Sequence, residues 1–521
     1  VRAPDLVNSR WDRTSKIVFA VLAAVMLASL PWLVHPYYEA NVETNDASMY
    51  ILSAESLLAG QGYSYVGQPF TVRPPGMSVL LAPILRFRGL DFGAMHLFVN
   101  LFGAAGILAM FVWLRPRVGS YVAAALGLFL WLNSGFRHFS NEVMSDVPGV
   151  ALTFALFLIE RWADRSPSWK RDLLLGAAIG LSSYMRTILV LVLPAILLAR
   201  LWRNLADKAR REPWKVLVAQ RLAPLCAGTL LLFLPWSLRN SAVGPKGAVD
   251  QNFIHSYGVA MLHVDGGDPS SPPRPLWDVA RKTPDRASKI LSLLGTSMES
   301  NAAGIAGIAL GSVIVLAVAY LLWTEKRSFE IYFFIVVFVI LVYFGYRDRL
   351  VLPLFAMGWA ALGEVLCKPE WKRLSTQLRR RIAAAALLVL AVLGFHYREG
   401  WDELARDHHA RIEQARAWNE HLPPDARLAS AIGWHHSLYV GRMVHSLYFA
   451  IRRRARADDP GDGRPADPSV MKAAEEVIDR YGLNTVILST DPSDLSMLGY
   501  FQRKYGNGVR AGDGWVFRVR S

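Results

Sequence analysis

The sequence predicts an all-α polytopic membrane protein that carries a small C-terminal extracytoplasmic α/β domain. Three observations predict it. Hydrophobic residues make up 53% and charged residues 19% of the 521 residues, with a mean hydropathy of +0.25, whereas soluble chains carry about 25% charged residues. The apolar residues fall in blocks close to the ~20 that a helix needs to cross a bilayer. After Tyr397 the blocks stop, and short β-like and helical runs alternate. Disorder, collagen and a disulfide scaffold are excluded by this composition. Cys226 and Cys367, the two cysteines, lie in apolar stretches and read as buried thiols.

About eleven spans follow, near 16–34, 92–114, 119–134, 146–162, 172–185, 187–203, 221–239, 303–323, 330–346, 350–366 and 381–397. The first reads as a span rather than a cleaved signal, because no small-x-small site precedes Pro36. The net charge of +15 and pI of 9.8 fit this arrangement better than nucleic-acid binding, since no nucleic-acid motif accompanies the charge. With a cytoplasmic N-terminus, Arg115/Arg117, Arg165/Lys170/Arg171, the 200–221 segment, Lys326/Arg327 and Arg379–Arg381 all gather on the cytoplasmic side. That is the positive-inside pattern. The expected location is a bacterial inner membrane, with the C-terminus outside.

Three segments then face outward: a loop over 35–90, a loop over 240–301, and residues 401–521 as a separate domain beside a 1–400 membrane core. Within loop one, Asp46–Ala59 reads as an amphipathic helix with Met49, Tyr50, Leu52, Leu57 and Leu58 on one side and Gly60 as its C-cap. Such a helix beside a membrane is expected in the interface, with Tyr63 and Tyr65 as aromatic anchors there. In the C-terminal domain, Arg427–Ile432, Thr485–Thr490 and Gly514–Val519 read as strands and Val470–Tyr481 as a helix. The Pro/Gly/Asp-rich stretch 455–468 reads as a mobile loop. The adjacent His435 and His436 read as a surface pair, because no further metal-ligand pattern accompanies them.

The polar motifs lie on the predicted outer side. Loop one holds Thr44-Asn45-Asp46-Ala47-Ser48-Met49-Tyr50, then Arg73-Pro74-Pro75-Gly76. Further on come Ser140-Asn141-Glu142-Val143-Met144-Ser145-Asp146-Val147-Pro148, Arg186-Thr187, Leu234-Pro235-Trp236-Ser237-Leu238-Arg239-Asn240, and Tyr346-Arg347-Asp348-Arg349-Leu350-Val351-Leu352-Pro353. In this order they resemble the landmarks of the GT-C membrane glycosyltransferases. The branch of dolichyl-phosphate-mannose–protein mannosyltransferases and bacterial lipid A aminoarabinose transferases is the most similar. The resemblance covers about residues 15–400.

The resemblance implies inverting transfer of a sugar from a polyprenyl-phosphate donor to a lipid, glycan or protein acceptor on the outer face. The chemistry needs a base for the acceptor hydroxyl and cations for the departing phosphate, to which an arginine fork is suited. Asp46 is the implied general base, beside its ordinary role of capping a helix. In relatives the acid is often followed by Glu; here Ala47 stands there, which counts against an acidic pair or metal at that point. Arg73, Arg347, Arg349 and Arg239 are the phosphate candidates. Arg347 or Arg349 has the alternative of pairing with Asp348, Arg239 that of anchoring a helix end, and Arg186 that of a structural turn residue. Glu142 and Asp146 form a second acidic pair that orients the acceptor, assists the base, or helps to hold a divalent cation. Tyr50 packs or hydrogen-bonds near the donor. These residues fix no cofactor; a divalent cation is the candidate. Two other classes compete: a lipid or sugar transporter or flippase, and a non-catalytic envelope scaffold. A transporter usually places ionisable residues near mid-span and repeats its halves; here the acids and arginines gather at outer ends and no repeat appears.

Overall fold

The computed structural model describes residues 11–38, 45–65, 67–206, 212–244, 262–263, 271–296, 305–342, 348–368, 401–431, 433–447 and 468–520. The expected span at 381–397, Arg347 and nearly all of the 455–468 stretch lie outside them. Helices stand at the other ten expected spans. Six are long and apolar enough to cross a membrane: Arg13–Leu33 (α1), Phe92–Val118, Thr187–Ala206, Trp214–Val243, Ile305–Glu325 and Asp348–Leu366. Ser120–Leu132 and Ser328–Val342 are apolar but shorter. Asp146–Arg165 and Trp169–Ser182 complete the set. Local chemistry sets several boundaries. Asp91 caps Phe92–Val118 by accepting the Ala94 N–H, and Gly119, at φ +83°, ends it.

The bundle is held by close backbone contact as well as by apolar side chains. Trp169–Ser182 and Trp214–Val243 interlock through Gly176 and Gly228: a Cβ on either would meet a backbone oxygen of the other helix, at 2.1 Å (Leu225 O) and 2.2 Å (Leu173 O). Small residues at such seams let membrane helices approach where lipid is as apolar as leucine. One end of the bundle carries a buried ion network, in which Arg200 and Arg221 both reach Asp172 and Asp164. Asp164 and Asp146 lie at opposite ends of Asp146–Arg165, about 27 Å apart at 1.5 Å per residue. The residues discussed below gather at the Asp146 end. Cys226 and Cys367 are free thiols and only half-buried, short of the full burial expected of them.

The C-terminal unit is α/β. Its sheet has the order β4-β3-β5-β7-β6, with β3 Leu428–Ser430, β4 Val444–Ser446, β5 Thr485–Leu488, β6 Val509–Ala511 and β7 Gly514–Arg518. β3 pairs parallel with both β4 and β5, and β7 runs antiparallel to β5 and β6. The three expected strands and the expected helix, found at Pro468–Arg480, are present. The short β4 and β6 carried too few alternating residues to be read from sequence. A two-stranded ribbon in loop one, β1 Ser64–Tyr65 and β2 Gln68–Pro69, precedes them in the chain.

A histidine-rich junction joins this unit to the lead-in of loop one. The Tyr38 hydroxyl and His435 Nδ1 are hydrogen-bonded at 3.1 Å, and Tyr38 stacks on Phe92. His35 meets His96 and Trp401 edge-on, Tyr37 packs on His408 and His409, and His408 Nδ1 pairs with the Tyr439 hydroxyl. His435 and His436 are 1% and 4% exposed, so they are core residues and not the surface pair expected. Burial pushes the His35 imidazole down to about 4, and nearby His138 and His408 add to the shift. A depressed imidazole stays neutral when folded, so its stabilising share is complete above pH 6.5 and is lost as pH falls from 6.5 to about 4. Hydrogen exchange in Trp401–His421 is therefore expected to quicken between pH 7 and pH 4.5, after correction for intrinsic rates. Unchanged protection across that window counts against the junction as the pH-sensitive contact.

Candidate active site

Loop one builds the site. Its helix, α2, spans Asn45–Leu58, and Gly60 follows at φ +73°. The buried face carries Ala47, Tyr50, Ile51 and Ala54, whereas Leu58, expected on the apolar side, is 44% exposed. α2 packs between Gly76–Arg88 (α3) and Gly433–Val440. Protein thus covers its buried face, where contact with the membrane interface was expected. Tyr65, expected as an interfacial anchor, is likewise buried, against Phe70.

The second half of the loop is pinned to the bundle. The Gly76 N–H donates to Tyr184 O at 2.7 Å, and a Cβ on Gly76 would lie 2.5 Å from that oxygen. Only glycine permits this approach, which accounts for the residue after Pro74-Pro75. The Tyr63 hydroxyl donates to Arg73 O at 3.0 Å. These two anchors fix the backbone at Arg73 and just after it.

Asp46, 6% exposed, sits in the first turn of α2 between two arginines. Arg73 Nη2 donates to Oδ1 at 2.9 Å, and Arg349 Nη2 donates to Oδ2 at 2.6 Å. Arg349 comes from the short turn Asp348–Val351 that opens the last described membrane helix. It pairs with Asp46. Burial raises the Asp46 carboxyl, but the guanidinium groups of Arg349 and Arg73 outweigh that and hold it at about 2. Around the triad, the Tyr50 hydroxyl meets Ser145 Oγ at 3.2 Å and Met144 Sδ lies against Arg349 Nη1.

Asp146 opens its helix and is ion-paired with Arg186. Arg186 passes over Gly149, where a Cβ would be 3.0 Å from Arg186 Cδ. The sequence placed Arg186-Thr187 among the family landmarks but gave Arg186 no role beyond that of a structural turn residue. Its partner lies 40 residues away, and no local pattern signals the pair. Glu142 is 3% exposed in the turn before Asp146. Among the described residues, no third carboxylate or imidazole joins Glu142 and Asp146 as a metal cluster; the three-donor group lies elsewhere, at His436, Asp491 and Asp494.

Arg239 is engaged differently from Arg73 and Arg349. Its Nη1 donates to Phe70 O at 2.7 Å and its Nη2 to Tyr63 O at 2.8 Å, and its guanidinium lies over Trp236. These bonds hold loop one to Trp214–Val243. Arg239→Ala is expected to lower thermal stability and raise proteolysis within residues 61–72, because two buried-loop carbonyls lose their donor. A variant with unchanged loop protection but weaker phosphate binding returns Arg239 to the phosphate ligands.

Helices enclosing one polar end, a long loop carrying an acid between arginines, and a following α/β unit define a polytopic membrane protein of the GT-C fold. Solved structures share it across almost the whole chain. ArnT from Cupriavidus metallidurans bound to undecaprenyl phosphate superposes with a TM-score of 0.59 at 12% identity, over 96% of this chain and 97% of that one. The archaeal oligosaccharyltransferase AglB from Archaeoglobus fulgidus, in complex with an inhibitory peptide and a dolichol-phosphate, gives 0.53 at 12% identity, over 91% and 69%. The Archaeoglobus fulgidus oligosaccharyltransferase in the apo form gives 0.52 at 12% identity, over 96% and 72%. No protein-family model and no curated sequence matches the chain. At this identity the likeness is one of fold.

Proposed function

We propose that the protein is a glycosyltransferase that moves a sugar from a polyprenyl-phosphate donor to an acceptor hydroxyl on the extracytoplasmic face, with inversion. The observation that carries the reading is Asp46, buried and held by Arg73 and Arg349 from two distant parts of the chain. It is the pairing such a reaction needs, a base beside cations for a departing phosphate. The polyprenyl phosphates bound to ArnT and AglB, two proteins of the same fold, support the donor class. The acceptor is a lipid, glycan or protein.

The acceptor oxygen attacks the anomeric carbon as its proton passes to Asp46. The bond from that carbon to the phosphate oxygen breaks, and polyprenyl phosphate leaves with the electron pair. A carboxyl held at about 2 is a weak base, since the best base has a pKa near the working pH. The two arginines that depress it are also the ones a donor phosphate engages. Donor binding therefore draws them toward phosphate and makes Asp46 more basic as the acceptor arrives. Asp146, paired with Arg186, orients the acceptor side beside Glu142, and Tyr50 shapes the pocket wall with Ser145.

The test is transfer by purified protein in lipid vesicles, with radiolabelled polyprenyl-phosphate sugars and a cell-envelope extract as acceptor. Label entering the extract only when the protein is present is the expected result. Lipid-linked sugar crossing the bilayer with no transfer product overturns the reading in favour of a flippase.

A further inference from the structure

The geometry points to a divalent-metal site in the C-terminal unit, formed by His436, Asp491 and Asp494 and suited to Zn²⁺. It is independent of the proposed transfer reaction. One donor atom from each residue lies within 4.8 Å of the others. An ion about 2.0–2.2 Å from each nitrogen and oxygen fits once the side chains draw in. A His–Asp–Asp set suits zinc, which accepts imidazole and carboxylate together.

Three observations support the site beyond the grouping itself. The first is the imidazole. His436 is 4% exposed, its Nδ1 is bonded to Ser430 Oγ at 2.9 Å, and Trp418 meets its ring edge-on. In the tautomer whose Nδ1–H donates to Ser430 Oγ, Nε2 turns its lone pair toward Asp494 Oδ2, 3.8 Å away and too far for a direct hydrogen bond. A cation between the two atoms is bonded by both. Metal-ligating histidines are held in this way, the other ring nitrogen being fixed by a hydrogen bond.

The second is the carboxylates. Asp494 is oriented by the N–H groups of Ala431 and Ser489 and by Ser489 Oγ. Asp491 receives Arg411 Nη1 on Oδ2, and its own N–H donates to Ser489 Oγ, so Oδ1 carries neither of these bonds. The third is position. β3 leads through Gly433–Val440 to β4 on one side, and the chain returns to β5 on the other. β3 is thus the switch point of the parallel strands. His436 follows β3, and Asp491 and Asp494 follow β5, beyond the carboxyl ends where open α/β sheets bind ligands. An ion there clamps the two turns together and, through the neighbouring His435–Tyr38 bond, steadies the platform under α2.

The full-length protein, purified without a polyhistidine tag and stripped with chelator, is titrated with ZnCl₂ and, separately, CoCl₂ at pH 7.5. One Zn²⁺ per chain and the visible d–d absorption of tetrahedral Co²⁺ are expected. His436→Ala and Asp491→Asn are each expected to weaken binding at least about tenfold, a loss already typical when only a residue hydrogen-bonded to a ligand is removed. His409→Ala, at the junction, is expected to leave it unchanged. No stoichiometric metal and no tetrahedral Co²⁺ spectrum in the wild type overturns the site, as does equal binding by Asp491→Asn. If His436→Ala does not fold, the wild-type spectrum and Asp491→Asn decide the matter.

Discussion

Asp46→Asn is expected to lower glycosyl transfer about 10²–10⁴-fold, the usual share of a positioned base, while polyprenyl-phosphate binding is kept or tightened. The two halves of this expectation come from one geometry. Asn keeps the shape and one acceptor oxygen but cannot take the acceptor's proton. It also withdraws the negative charge that occupies Arg73 and Arg349 at 2.9 and 2.6 Å, leaving both more available to phosphate. Transfer by the vesicle assay, with donor binding by equilibrium titration, separates the two. Full transfer by the variant removes Asp46 from the mechanism and directs attention to Glu142 and Asp146. Loss of binding and transfer together assigns Asp46 to the fold of the site, because loss of the base alone leaves the arginines able to hold donor.

Arg349→Gln is expected to act on three readouts at once. Asp46 stays buried but loses its closest partner, so its carboxyl rises from about 2 toward and beyond the ordinary value of 3.8. The acid limb of the pH–rate profile moves up accordingly. Stability follows the same sign. A carboxyl depressed in the folded state stabilises above the unfolded value of 3.8, and that contribution fades as pH falls from 3.8 to 2. The depression corresponds to about 2 kcal/mol at neutral pH, and much of it disappears with Arg349. Donor binding weakens as well, since a fork on phosphate is lost. Arg349→Lys keeps the charge but not the fork, and is expected to restore the pH profile more fully than the affinity. A Gln variant with the wild-type acid limb shows that Arg349 does not govern Asp46.

Much of the architecture was legible because lipid imposes a strong rule: some twenty apolar residues mark a span, and ten of the predicted ones are helices. Asp46, Arg73 and Arg349 were legible as chemistry through their motif order, but their meeting was not. Arg349 and Asp46 are 303 residues apart, and only the helix packing brings them together. Asp348, one residue away, was the alternative partner the sequence offered. The burial of α2 was hidden for a similar reason. Its apolar side was read against a membrane, whereas α3 and Gly433–Val440, one distant in sequence, cover it. His435 and His436 looked superficial because the short elements that enclose them carry weak local signals, and the carboxylates near His436 lie more than fifty residues on.

The wall behind α2 has a consequence for how the protein is made. Leu438 joins the same core as Tyr50 and Ile51, and Tyr38, at the entrance to loop one, is bonded to His435. The acid is thus translated among the first fifty residues, and its supporting wall among the last hundred. A nascent chain halted before residue 433 holds Asp46 without that support. That wall is completed only near the end of synthesis, so a ribosome stalled mid-chain leaves in the membrane a partial bundle whose Asp46 loop still lacks its backing.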